Sequence, residues 1–221
     1  MTLPLIDKND NFEVIRDQIA SIIRLETANQ QTLAAAAAKD PALWGLRVFT
    51  ERANPWEQFR ADDEDTSPIV NVWFDNLNFD MAASNVIERQ KAEGVFNIDV
   101  IGFSVSADDP SGGHTPGDEG AARTAQRGLR LVRNILMSAD YTYLGLRGLV
   151  WRRMPQAITS FQPQLGDQGA LQVVGARLAL RVEFNEFSPQ YTPETLEFLS
   201  IDVRRTEDDE IVLEADYDYT P

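Results

Sequence analysis

Within the stretch from Gly169 to Phe187 apolar residues recur with a period of two. Val174, Ala176, Leu178, Leu180, Val182 and Phe184 fall on one face, and Arg177, Arg181, Glu183 and Asn185 on the other. This is the pattern of a half-buried strand. The run is much longer than the five or six residues of an ordinary strand, so it either crosses a whole domain as a long central strand or leaves the domain to meet a neighbour. Its outward row changes sign, with Arg177 and Arg181 early and Glu183 and Glu186 late. That favours an exposed, interacting carboxyl end from Glu183 to Gln190. Charge reversal at Arg177 with Arg181 is then expected to weaken assembly and leave the fold intact.

The other elements must pack around this strand. Asp10-Asn-Phe-Glu13 has the form of a capping box, and Phe12, Ile15, Ile19, Ile22 and Ile23 follow at helical spacing, which predicts an amphipathic helix. The alanines from 34 to 38 extend it, and it must stop before Pro41. Strands are expected at 46–52 and 68–75, joined by a long polar loop, and at 94–106, where a change of phase near Val100 and Ile101 suggests a bulge. One helical turn is expected within 81–90. The stretch 107–117 is dense in turn residues and reads as an exposed loop. Asp118 can cap a second helix reaching Ser138, with Ala122, Ala125, Leu129, Val132 and Leu136 buried. Further strands are expected in the opening stretch, at 149–161, at 195–204 and at 211–217, the last two forming a hairpin with an acidic tip. The economical fold is a single α+β domain over 1–221, with 188–221 as a possible hairpin extension. Its mostly antiparallel or mixed sheet is flanked by the N-terminal helix and one central helix.

Charge narrows the function. The net charge of −15 argues against nucleic acid as the main specific partner, because phosphate affinity comes from Lys and Arg. Yet between Gly120 and Arg181 nine arginines face only Asp140 and Asp167, a net of +7, so the rest of the chain carries −22. A basic region inside an acidic protein is suited to self-association or to an acidic partner. No apolar run approaches the roughly 18 residues of a membrane span, and charges at Asp7, Lys8 and Asp10 occupy the place of a signal peptide's apolar stretch. A cytosolic protein that does not enter membranes is expected. The chain has no cysteine, which removes disulfides and thiolate chemistry.

Candidates for catalysis are few. His114 is the only histidine and reads as a solvated loop residue, without a second imidazole to build a typical zinc site. The acids Asp62, Asp63, Glu64 and Asp65, Asp108 with Asp109, and 207–210 lack the ligand spacing of a Ca²⁺ loop. The glycines near 112–117 lack a P-loop lysine. No cofactor is implied, and a metal-dependent hydrolase using the acidic loop is the alternative of a different class.

The arginines are more informative. Arg123, Arg127 and Arg130 stand at i, i+4 and i+7, with Arg133 following, so they line one side of the second helix with almost no acid beside them. Arg152 and Arg153, adjacent in a strand, point to opposite faces. Acids at 62–65 or at 107–119, including Asp108, Asp109, Asp118 and Glu119, could answer these arginines from the same chain or from another copy in a head-to-tail ring.

The order of elements, together with Leu-Arg-Val-Phe-Thr-Glu-Arg-Ala-Asn-Pro-Trp-Glu (46–57), Gly-Asp-Glu-Gly-Ala-Ala-Arg (117–123), Tyr-Leu-Gly-Leu-Arg-Gly-Leu-Val-Trp-Arg-Arg (143–153) and Val-Glu-Phe-Asn-Glu-Phe-Ser-Pro-Gln-Tyr (182–191), resembles the tail terminator proteins of long-tailed double-stranded DNA bacteriophages. The resemblance implies a homo-oligomeric ring, typically a hexamer, seated on the last ring of tail tube protein. It would end tube polymerisation and meet the head-side connector or stopper protein, while DNA passes through the lumen without specific binding. The implied location is the virion neck, with assembly in the host cytoplasm. The alternative in the same class is a head-completion or stopper protein of the neck.

Overall fold

The computed structural model describes residues 7–58, 67–80, 89–108, 112–163, 172–187, 198–204 and 211–218. The chain divides into two compact units, Met1–Ser188 and Pro189–Pro221. Within the first, helix α1 (Asn11–Ala36) precedes strands β1 (Arg47–Thr50), β2 (Ile69–Phe79) and β3 (Arg89–Ser104). Two short strands, β4 (Ala107–Asp108) and β5 (His114–Thr115), lead into helix α2 (Gly117–Leu136), followed by β6 (Val150–Phe161) and β7 (Gln172–Phe187). The fold is α+β, with a mixed five-stranded sheet in the order β1-β2-β3-β7-β6. All neighbours in it are antiparallel except β1 and β2.

The long alternating stretch forms β7, and it is a central strand. All 16 of its residues pair in unbroken register with β3, from Gln172 opposite Ser104 to Phe187 opposite Arg89. On its other side β6 pairs with it as far as Phe184. At about 3.3 Å per residue the β3–β7 ladder is roughly 50 Å long. Ala176, Leu178, Leu180, Val182 and Phe184 are buried as their periodicity predicts.

The free carboxyl end expected from Glu183 onward is not found among the described residues. Asn185 is 4% exposed, and the Glu186 carboxylate accepts from the Asn11 N–H at 3.2 and 3.3 Å. That N–H belongs to the first turn of α1, where a carboxylate answers both a free donor and the positive end of the helix dipole. The sign change along the strand thus serves helix docking within the chain. Residues 188–190 lie outside the described residues.

The helices cover one face of the sheet. Helix α1 is held at its start by the predicted capping box, the Asp10 N–H donating to the Glu13 carboxylate at 3.0 Å. It buries Ile15, Ile19, Ile22 and Ile23, and its Phe12 ring stacks on Phe74 at 4.4 Å. Helix α2 buries Ala125, Leu129, Val132 and Leu136 as expected, together with Ala121, Gly128 and Ile135; Ala122 is only half-buried. Small residues let α2 lie unusually close to β3. A Cβ on Gly102 would fall 2.5 Å from the Ala125 amide nitrogen and against the Ala121 carbonyl, and one on Gly128 would fall 2.8 Å from Val100. No side chain fits at the first position.

Three local expectations change. The phase change near Val100 is not a bulge, because β3 keeps its register there with both neighbours. Both faces are buried at that end, with Ile98 and Val100 in the main core and Ile101 and Phe103 in a second cluster with Ile69 and Val173. Bulges occur instead at Phe74/Asn76 in β2 and at Val150/Arg152 and Pro155/Ala157 in β6. The turn-rich stretch after Ser106 carries a short strand pair among its described residues, β4 pairing with β5 so that His114 Nδ1 meets the Asp108 carboxylate at 2.7 Å. Helix α2 begins one residue before Asp118, with Pro116 at the N-cap and the Gly117 N–H bound by Ser106 Oγ at 3.1 Å. Residues 1–6 and 81–88, where a first strand and a helical turn were expected, lie outside the described residues.

In the second unit β8 (Phe198–Arg204) and β9 (Ile211–Asp218) form an antiparallel pair, the hairpin the alternation predicted.

Candidate assembly surface

The outward side of α2 presents the predicted arginine row. Arg130 and Arg133 are exposed and Arg127 is half-buried. Arg123 does not stand alone: it pairs with Glu119 one turn earlier on the same helix. Glu119 and Asp118 occupy the first turn of α2, where the helix dipole favours acids, and the Glu119 N–H donates to Asp118 at 2.9 Å. These two acids serve α2 locally, as Asp108 serves His114. Among the described residues no acid pairs with Arg127, Arg130 or Arg133. Asp62, Asp63, Glu64, Asp65 and Asp109 lie outside the described residues.

The remaining arginines separate into roles the sequence did not distinguish. Arg153 faces the helices and closes the carboxyl end of α2. Its guanidinium donates to the Ser138 carbonyl at 2.6 Å, to Thr142 at 2.9 Å and to Leu136. Leu136 is the last residue of α2, whose carbonyl the helix leaves without an intrahelical partner, so the cation also meets the negative end of the dipole. Burial lowers its pKa from the ordinary arginine value. Arg153 therefore has its partner inside the chain, whereas the neighbouring Arg152 is exposed.

Arg177 and Arg181 were expected to be interface residues, and the structure pairs both across the sheet. Arg181 meets Glu93, its cross-strand diagonal neighbour on β3. Arg177 holds Asp99 with two bonds, Nε at 2.6 Å and a terminal nitrogen at 3.0 Å. Trp73 Nε1 donates to the same carboxylate at 2.9 Å, and the Asp99 hydrogen bonds raise the Arg177 pKa further. The guanidinium lies 4.8 Å from the Trp73 ring centroid and 5.2 Å from that of Phe161, within the range of cation–π attraction.

This group lines an open pocket of about 780 Å³ on the sheet face away from the helices, with Trp56, Asn71 and Glu51 at its sides. Asn71 clamps the Arg52 backbone, accepting from its N–H at 3.1 Å and donating to its carbonyl at 2.9 Å. Glu51 accepts from the Phe74 N–H at 3.0 Å and from Arg16 at 3.2 Å. The pocket's carboxylates are thus engaged by donors of the chain itself. What it offers is aromatic surface rather than a free base. A signal for it was present in the sequence: Asp99 interrupts an apolar strand on the same parity as Asn71 and Arg177. Their register could not be known without the pairing.

A second feature lies where β6 begins. Tyr143, Arg147 and Trp151 border an open cavity of about 610 Å³, with Arg147 5.7 Å from the Tyr143 ring centroid. Trp151 is 58% exposed and Ile158, further along β6, is 53% exposed. Exposed tryptophan, tyrosine and arginine together are the composition of interface hot spots. Strand periodicity alone gave no indication that β6 would be left uncovered.

Among the described residues no group of three acids or histidines could hold a metal ion, and no helix is long and apolar enough to cross a membrane. Neither a protein-family model nor a curated protein sequence matches the chain.

Proposed function

We propose that this protein is a virion assembly component acting without catalysis, a tail terminator of a long-tailed bacteriophage. In this reading it forms a homo-oligomeric ring, a hexamer, that caps the tail tube and ends its polymerisation. The ring then meets the head-side connector, and DNA passes through its lumen without specific binding. It assembles in the host cytoplasm and ends in the neck of the virion.

The observation that supports this most is the row Arg127, Arg130 and Arg133. These like charges stand on one helix, without an acid partner among the described residues, in a chain of net charge −15. Such a row destabilises an isolated helix and is offset when an acidic surface meets it. A second copy of an acidic chain provides that surface in a heterologous contact that closes into a ring.

The test is solution mass at low and high salt, alone and with tail tube protein, for the natural chain and for Arg127→Gln/Arg130→Gln/Arg133→Gln. Association that salt weakens, and that the triple substitution weakens roughly tenfold or more, is the expected result. Capping of tube protein distinguishes a terminator from a stopper, which would bind the head-side connector instead. A strict monomer under every condition, with tube protein present, would overturn the reading.

A further inference from the structure

The five-stranded sheet has two edges, and they differ. β1 is four residues long, and its Val48 carbonyl is already taken by Arg24 of α1, at 3.2 and 3.4 Å. β6 is 12 residues long, and among the described residues no strand lies beyond it. Helix α2 packs chiefly on β3 and β7, and every residue of β6 from Pro155 to Ser160 is exposed. A long edge of this kind presents a row of unpaired backbone donors and acceptors, which proteins ordinarily cover or interrupt. Pro155 and the two bulges interrupt its first half. The second half, Ala157 to Phe161, pairs with β7 without a break and carries the exposed Ile158.

The C-terminal unit has the complementary problem. β8 and β9, seven and eight residues long, form a sheet of their own. A two-stranded hairpin is marginal in water, and both of its strands are edges. By sequence, residues 189–221 carry ten acids against Arg204 and Arg205, a net of −8, while β6 carries Arg152 and Arg153 and no acid, and Arg152 is exposed.

We propose that β6 receives the C-terminal hairpin of a second copy as added strands, backbone pairing supplying the contact and the opposite charges of the two segments selecting it. This rests on the assembly reading above and names the elements through which one copy joins the next.

The experiment is amide hydrogen exchange on the full chain across its concentration-dependent association, with mass measured in parallel. Assembly should slow exchange by at least tenfold at amides of 157–161 and within 198–218 together. Ile158→Glu, an acid placed on the exposed edge where it repels the acidic hairpin, should abolish both protections and return the mass toward 24.8 kDa while leaving the circular dichroism spectrum unchanged. An oligomer of proven mass in which 157–161 exchange as fast as in dilute solution would overturn this inference and leave the assembly reading standing. Protection at 157–161 without protection of 198–218 would also overturn it, since another element would then be covering the edge. Protection of both segments that is already present in dilute monomer would place the hairpin on its own chain and overturn it equally. A chain that never associates would remove both readings.

Discussion

Charge reversal at Arg177 distinguishes a surface arginine from one built into the sheet. Asp99 is 6% exposed and receives two bonds from Arg177 and one from Trp73. Replacing Arg177 by Glu removes two of the three donors and sets a second carboxylate against the first. A buried pair broken in this way costs about 3–5 kcal/mol when fully enclosed. The Arg177 side chain is 35% exposed, so solvent screens part of the effect and the lower end, about 2–3 kcal/mol, is the appropriate expectation.

The same geometry orders the other substitutions. Arg177→Met keeps the stacking volume between Trp73 and Phe161 but strands the carboxylate, and should cost about 2 kcal/mol. Asp99→Asn can still accept from Trp73 and should cost less. Asp99→Leu with Arg177→Met removes both charges together, leaving only the Trp73 N–H to find water. Its loss should be well below the sum of the two single losses, with a coupling of about 1–3 kcal/mol. Urea unfolding followed by tryptophan fluorescence measures all of these, with an unchanged slope showing that only stability has moved. Arg177→Glu that unfolds at the natural midpoint, or single losses that simply add, would refute the pairing and return Arg177 to the free outward row that the alternation alone suggested.

Three further outcomes follow from local geometry. Gly102→Ala should destabilise by about 2–3 kcal/mol, because the new methyl meets the backbone of α2 and that helix must lift from β3; thermal unfolding checks it, and an unchanged midpoint would mean that the approach is not so close. Ala38 adopts φ 54° just past α1, where the Lys39 N–H reaches the Ala34 carbonyl at 2.9 Å and the Ala38 N–H reaches Ala35 at 3.1 Å, a Schellman ending that favours glycine, so Ala38→Gly should stabilise by about 0.5–1 kcal/mol in the same assay. Tyr141 donates to Glu26 at 2.5 Å, and this bond raises its pKa to about 12. The raised pKa means that the contribution is complete below the ordinary tyrosine value near 10 and is lost as pH rises from there through about 12; the stability advantage of the natural chain over Tyr141→Phe should shrink across that window, and a constant difference would count against the bond.

Much of the fold could be read in advance because burial writes itself into periodicity. The stripe Ile15, Ile19, Ile22, Ile23 and the alternation from Ala176 to Phe184 each have one apolar face, and each packs as that face requires. Periodicity loses this meaning where burial is two-sided. Ile98 and Val100 face the main core while Ile101 and Phe103 face the second cluster, and a break in alternation was the only trace of it.

The charges were harder to read for a related reason. An arginine looks the same in sequence whether it meets solvent, a carboxylate on the next strand or the carbonyls of a helix end. Arg177 and Arg181 found Asp99 and Glu93 through a register set by 16 residue pairs, and Arg153 found the end of α2 because a bulge at Val150/Arg152 sets its place on β6. Neither partner is near in sequence. The arginines left over after such pairings are therefore a sharper signal than the original stripe. Arg123 drops out to Glu119, while Arg127, Arg130, Arg133 and Arg152 remain. A cation without an acid partner among the described residues still gains from an acidic surface, and the 33 C-terminal residues carry a net −8 by sequence.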